Sequence, residues 1–335
     1  MGKKENSGGS FKSSLTDKVL SVSNRYAFYK REYGKLIDEN TKLKKDIQRL
    51  ENNFNKIDND LKDLKKSNIE QSKKDYDELI VLKRCLTHHM DKSFNHLKNV
   101  YRDESEFNLK FNRELQYAFV FNDTIKESEW LANKEFSLTN AAANYSLAYS
   151  LYRILNDAQP KNILELGLGQ TTKITTQYAN YFDDVNLSVI EGDQDWIDVF
   201  CEKLVTDENI DIIYRDLEVA KYNDEPTLRF KDVSEVLGDK KFDLIIIDGP
   251  QGHIPGESKN LEYSRTNILE LIPNNLADDF LILMDDYNRV GERNTMGDVE
   301  KLLNDNDMEF FTYTCDALKS QHAVFSEKFR FISWI

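Results

Sequence analysis

Hydrophobic and polar positions change rhythm twice along this chain. Between Tyr33 and Asn68 the pattern repeats every seven residues. Tyr33, Asn40, Ile47, Phe54, Leu61 and Asn68 hold one seam position, and Leu36, Leu43, Leu50, Ile57 and Leu64 hold the other. The residues between are almost all Lys, Asp, Glu and Asn, with no proline. So narrow a stripe predicts a coiled coil, because a globular core would have to bury its charged flanks. Leu dominates one seam position, and Asn40 and Asn68 are placed to fix register, so the expected partner is a second copy of the chain and the expected state a homodimer. A lone helix lying on the rest of the protein is the alternative.

From residue 76 to 134 the composition stays helical but the strict repeat is lost. Leu79, Ile80, Leu82, Leu86, Phe94, Leu97, Val100 and Tyr101 are spread more broadly, which predicts a helical connector. Caps at Ser137, Leu138, Thr139 and Asn140 predict a helix from Ala141 to Leu155 that stops before Pro160. Beyond it, short apolar runs near 163–166, 187–190, 210–214, 242–247 and 280–284 alternate with helical stretches. Two more strand-like runs, 310–314 and 322–325, precede a last apolar stretch at 330–334. This alternation predicts an α/β fold, a Rossmann-like, doubly wound and mostly parallel sheet, preceded by helices and a coiled coil. The expected organisation is a polar tail over 1–22, a coiled-coil segment over 23–75, a connector over 76–134 and the α/β domain over 135–335.

A chain of 335 residues accommodates one full α/β domain plus a further element. Its net charge of −14 argues against a general binder of nucleic acid or anionic lipid. Cys85, Cys201 and Cys315 are far apart and odd in number, so they predict reduced thiols and a cytoplasmic protein. No apolar run is long enough for membrane insertion. His88, His89 and His96 lack acid or thiolate companions at ligand spacing and do not predict a metal site.

The chemistry gathers at the ends of the apolar runs. Ile163-Leu164-Glu165-Leu166-Gly167-Leu168-Gly169 reads as a strand entering a tight glycine turn before a helix, a nucleotide-type pocket with Gln170 beside it. A dinucleotide fingerprint would place a third glycine where Thr172 stands, and Glu165 suits a ligand with a cationic amino group better than a diphosphate. Glu191 ends the second strand, where an acid reaches ribose hydroxyls. Asp216 follows the third strand, Asp248 ends the fourth, and Asp285 and Asp286 end the fifth. Neighbouring strands lie about 4.8 Å apart, so the last three acids can converge on one cation.

These features resemble the class I S-adenosylmethionine-dependent methyltransferases over residues 135–335. Glu165, Gly167 and Gly169 match their first motif, and Asp285-Asp286-Tyr287 resembles the metal-dependent O-methyltransferases of small molecules and sugars of the macrocin type. The resemblance implies S-adenosylmethionine at Glu165, Gly167, Gly169, Gln170, Glu191, Asp216 and Asp248, and Mg²⁺ on Asp248, Asp285 and Asp286. It further implies an added antiparallel strand closing the sheet. The loop after Asp248, with Pro250, Gln251 and His253, departs from a family that often has more acids there. His253 is the expected base with Asp248, and Arg265 and Arg289 the expected acceptor-binding residues; either arginine could instead neutralise the acids. The expected function is methyl transfer to a hydroxyl of a small polyhydroxylated acceptor, such as a sugar of a surface glycan or a secondary metabolite. A scaffold with an inactive methyltransferase-like domain is the alternative, and a nicotinamide-dependent oxidoreductase comes third.

Overall fold

The structure, a computed structural model, describes the backbone of residues 8–67, 73–138, 143–202, 204–257 and 259–334, and side chains within these from residue 27 on, except near 66–75. It divides into two compact units, Met1–Asn108 and Leu109–Ile335.

The first unit consists of α1 (Gly8–Ser67) and the first part of α2 (Lys73–Thr124). Residues 8–22, expected as a polar tail, are helical, whereas residues 1–7 and Asn68 lie outside the described residues. The seam of α1 has its partner within the chain. Lys65 lies over Tyr76, Asp58 bonds Lys83 at 2.7 Å, and Lys44 lies over Tyr101, so partner numbers fall along α2 as they rise along α1. The two helices are therefore antiparallel. Phe54, Ile57 and Leu61 meet Leu86 and Met90 around one small void. This corrects the expectation that the stripe needs a second copy. Leu79, Leu86, Met90, Leu97 and Val100 lie at heptad spacing along α2 and can fill the α1 seam, although Lys83, Ser93 and Glu104 interrupt the repeat. The seam is only half-buried, as two helices alone must leave it.

In the second unit, the end of α2 contributes buried Glu114 and Phe121. A helix, α3 (Tyr145–Ala158), starts at Asn144, whose side chain accepts from the Leu147 amide at 3.3 Å. The cap thus lies beyond Ser137 and Leu138; of the other expected cap and start residues, Thr139 to Ala142 lie outside the described residues. A seven-stranded sheet follows, in the order β3-β2-β1-β6-β7-β9-β8. Its strands are β1 (Asn162–Leu166), β2 (Asn186–Glu191), β3 (Ile210–Tyr214), β6 (Phe242–Ile247), β7 (Leu276–Met284), β8 (Phe311–Asp316) and β9 (Ser320–Phe325). The first five are parallel, and β9 runs antiparallel to β7 and to β8. A separate hairpin, β4 (Leu217–Tyr222) with β5 (Glu225–Phe230), follows β3. The stretch at 330–334 is part of a 3₁₀ helix, Glu327–Trp334, not a strand; it packs Phe329 and Ile332 inward.

Side chains along a strand point alternately to opposite faces, and here both faces are covered. Leu244, Ile246, Leu281 and Leu283 face one core, Ile245, Ile247, Ile282 and Met284 the other. Each such buried side chain contributes about 1.5–3 kcal/mol over exposure. Asp243 fixes the start of β1 against β6 by accepting from the Lys161 and Asn162 amides at 2.8 and 2.9 Å.

A bis-maleimide cross-linker should join cysteines placed at positions 58 and 83, in a background lacking Cys85, Cys201 and Cys315, within one chain, giving monomer mobility on a denaturing gel. A cross-linked dimer would mean that the hairpin pairs between copies.

Candidate active site

The sheet order reverses between β1 and β6, and the carboxyl ends of these strands open a crevice at that switch point. Register places the site residues level with one another. Leu166 pairs with Ile190 and with Ile247, and Ile247 pairs with Met284. The ladder runs one residue further: Gly167 donates to the Ile190 carbonyl, Asp248 to Leu166 and Asp285 to Ile247, at 2.8, 2.9 and 3.0 Å. Gly167, Asp248 and Asp285 therefore leave the sheet at the same height, held by backbone.

A cavity of about 900 Å³ opens above this edge. Gly167, Gly169, Gln170, Glu191, Asp248, His253, Arg265, Asp286 and Arg289, all expected site residues, line it. Gly167 has φ +104, and a Cβ there would meet the Gly249 nitrogen at 2.8 Å, so only glycine lets the two turns touch. Gly169 has open space where its Cβ would point, which leaves bare backbone facing the cavity. Glu191 braces this turn by accepting from the amides of Leu168, Gly192 and Asp193, at 2.8, 2.7 and 3.1 Å. A carboxylate has about four acceptor positions, so one remains for a ligand hydroxyl.

Sequence reasoning missed the apolar walls, Trp196, Leu217 and Phe230. Trp196 is placed by α5 (Gln194–Cys201), whose Asp193 cap accepts from the Trp196 amide at 3.0 Å, while the indole donates to the Leu168 carbonyl at 2.8 Å. An N-cap acid followed by Trp just past β2 was the available signal.

Two expected cofactor residues do not line the cavity. Glu165 is fully buried below α4 (Thr172–Tyr181) and accepts from the hydroxyls of Thr171 and, at 2.9 Å, Thr175. Its position on β1 aims it into a core face, so it supports the turn from below. Burial pushes its carboxyl up to about 7, against the two threonine bonds. Asp216 is exposed and accepts from the Tyr214 hydroxyl at 2.6 Å; the chain turns into β4 there and offers Leu217 to the cavity instead.

Asp248, Asp285 and Asp286 do converge, each offering an oxygen within 4.8 Å of the others, the one such group among the described residues. They do not converge alone. Arg265, 2 % exposed, donates from Nη2 to Asp248 and Asp286 at 3.3 and 2.8 Å, from Nη1 to the carbonyls of Ile247 and Asp285, and from Nε to that of Pro250. Its five N–H groups are all engaged, so Arg265 has no donor left for an acceptor molecule. This corrects its expected substrate-binding role in favour of the neutralising one. Lys319 lies 3.2 Å from both Asp285 and Asp286, and Arg289, 43 % exposed, lies 3.0 Å from Asp286. Burial alone would raise Asp286, but Arg265, Lys319 and Arg289 hold it below the usual carboxylate range. Asp248 behaves oppositely: burial, then the charge of Asp285, push it up to about 7. Arg265 and Asp286 both adopt left-handed backbone, at φ 58, so local strain accompanies the ion pair they form.

Lys319 and Glu292 were not foreseen. Lys319 sits in the turn between β8 and β9. Because β9 runs antiparallel beside β7, with His322 opposite Met284, that turn must reach the carboxyl end of β7. Glu292 opens α6 (Val290–Asp305) and lies buried 3.7 Å from Arg265. A further chain of side chains, Glu114 to Asn144 to Gln321, ends with Gln321 donating to Asp285 at 2.8 Å.

No protein-family model matches this chain, and no curated protein matches it. Among solved structures it is similar to the O-methyltransferase TomG from Streptomyces achromogenes, solved in complex with SAM (16% identity, 62% of this chain and 95% of that one, TM-score 0.41). It is also similar to the O-methyltransferase from Bacillus cereus in complex with SAH (12% identity, 65% and 92%, TM-score 0.39). A third similar structure is the precorrin-6y C5,15-methyltransferase from Geobacter metallireducens (10% identity, 58% and 95%, TM-score 0.38).

Two outcomes check the electrostatics. Arg265→Ala should lower unfolding free energy in urea by about 3–5 kcal/mol, because it strands buried acids, and Arg265→Lys should recover only part, since an ammonium cannot make the forked contacts. Glu165 is raised in the folded state, so its contribution to stability is full below its unfolded value of 4.5 and is lost as pH rises through about 7. The melting temperature of Glu165→Gln, measured against wild type from pH 4.5 to 8, should therefore gain on wild type as pH rises.

Proposed function

We propose that this protein is an S-adenosylmethionine-dependent O-methyltransferase acting on a hydroxyl of a small polyhydroxylated acceptor, such as a sugar of a surface glycan or a secondary metabolite. One observation carries the reading: the switch-point cavity has a bare-backbone floor at Gly169, apolar walls and an acidic border. Glu191, Asp193, Asp195 and Asp248 all line it, a set that suits a cationic ligand and repels the diphosphate of a dinucleotide. Gly167, Leu168, Gly169 and Gln170 would hold the cofactor's backbone-facing side, Glu191 a ribose hydroxyl, and Trp196 and Leu217 the flat base. When bound, S-adenosylmethionine supplies a methyl group activated on a sulfonium.

The remaining work falls to the chain. An acceptor hydroxyl must be aligned with the methyl carbon and must lose its proton. His253 and Asp248 line the same cavity and are the groups in reach of that proton, His253 as the base and Asp248 as its acidic companion. Arg289, which keeps part of its guanidinium exposed, would donate to the acceptor. The scaffold reading draws support from the long helices of the first unit, and differs in expecting no turnover.

Calorimetric titration should detect S-adenosylhomocysteine and not NAD. Gly169→Val should remove that binding by filling the open space above the turn. A chain that binds NAD and ignores S-adenosylhomocysteine would falsify the assignment. His253→Ala should retain cofactor affinity and slow methyl transfer by about 10²-fold. Unchanged turnover in that variant would move proton removal to Asp248.

A further inference from the structure

The three converging carboxylates invite a divalent cation, yet five of their six oxygens already face N–H donors. A hard cation such as Mg²⁺ or Ca²⁺ needs carboxylate oxygens at about 2.0–2.6 Å with lone pairs turned toward it. Both oxygens of Asp286 face cationic nitrogens: one lies 2.8 Å from Arg265 and 3.0 Å from Arg289, the other 3.2 Å from Lys319. Both oxygens of Asp285 face N–H donors, one Lys319 at 3.2 Å and the other Gln321 at 2.8 Å. Asp248 accepts from Arg265 at 3.3 Å.

Charge gives the same answer. Asp248, Asp285, Asp286 and Glu292 face Arg265, Lys319 and Arg289, which offset all but one of the four negative charges. Lys319 bridges the two adjacent acids of β7, the place where an ion shared between them would sit. It is only 14 % exposed, and its Nζ lies at ion-pair distance from both carboxylates. A divalent ion could enter only by displacing this buried ammonium, and the residues as they stand do not fit one.

We propose that Lys319, backed by Arg265, takes the place of a divalent cation in the Asp248–Asp285–Asp286 cluster, making it an internally neutralised support for the cavity edge. Lys319 acts through Asp285 and Asp286 and is a positioning residue. The inference rests on the methyltransferase reading only in treating the adjoining cavity as the transfer site, and its test needs no turnover.

The probe is Mn²⁺ on the full chain, followed by the loss of the free-ion electron paramagnetic resonance signal. Wild type should leave that signal unchanged and should melt at the same temperature in EDTA and in Mg²⁺. Lys319→Met, close in shape but uncharged, should acquire Mn²⁺ binding, at least about tenfold above wild type, with melting that becomes sensitive to Mg²⁺. Adding Asp285→Asn should abolish the acquired site. The proposal is overturned if wild type takes up one Mn²⁺ per chain and Asp285→Asn loses it. It is overturned equally if Lys319→Met is folded by circular dichroism and gains no affinity. Should that variant not fold, the wild-type measurement still decides. A failed S-adenosylhomocysteine titration beside an unchanged Mn²⁺ signal would remove the functional reading and leave this one standing.

Discussion

The Arg265 guanidinium is the contact on which the cavity edge depends. It ties together three parts of that edge: the loop after β6 through Pro250, the strand ends through Ile247 and Asp285, and the acids through Asp248 and Asp286. A buried arginine with all five donors engaged costs several kcal/mol to desolvate, and only a full set of acceptors offsets that. Backbone carbonyls supply three of them. Those of Ile247 and Asp285 are fixed at the ends of paired strands, so the guanidinium is held in place before the carboxylates are counted.

That anchoring separates the two halves of the crevice. On the side of β1 and β2, polar needs are met by neutral backbone: Glu191 is satisfied by three amides, and Glu165 lies sealed beneath the turn with two hydroxyls. This leaves the space over Gly169 open and its border acidic. On the side of β6 and β7, full charges meet full charges, and the acids lie within ion-pair distance of Arg265, Lys319 and Arg289. A ligand therefore meets an acidic border on the first side and, on the second, the part-exposed guanidinium of Arg289.

Much of this was legible in the sequence, since strand runs and strand-end residues are local. The five parallel strands, the glycine turn and the level carboxylates follow from apolar runs ending in Gly or Asp, because pairing register turns a position in sequence into a height on the sheet. What the sequence hid was whatever depends on a side chain's direction or on a distant segment. Glu165 lies inside β1 on the same face as Ile163, so its carboxylate enters the core under α4, although the turn residues Gly167, Leu168 and Gly169 just beyond the strand reach the cavity. Asp216 is lost to the cavity because the chain turns there into β4, a hairpin with no strong apolar signal. Lys319 arrives from more than thirty residues away by way of the β8–β9 turn.

The same distinction explains the long helices. A heptad stripe states that a partner exists without stating which, and a second stripe with polar interruptions is easy to pass over. Here α2 carries Lys83, Ser93 and Glu104 among its seam-facing apolar residues. Each interruption lowers the contrast of the pattern while leaving enough Leu, Met and Val to cover α1, and the link between the helices spans only the few residues between Ser67 and Lys73. Closing so short a connection costs little entropy, on the order of a few kcal/mol, whereas a second copy must give up free translation and rotation to reach the same seam. Between two partners of similar stickiness, the tethered one wins.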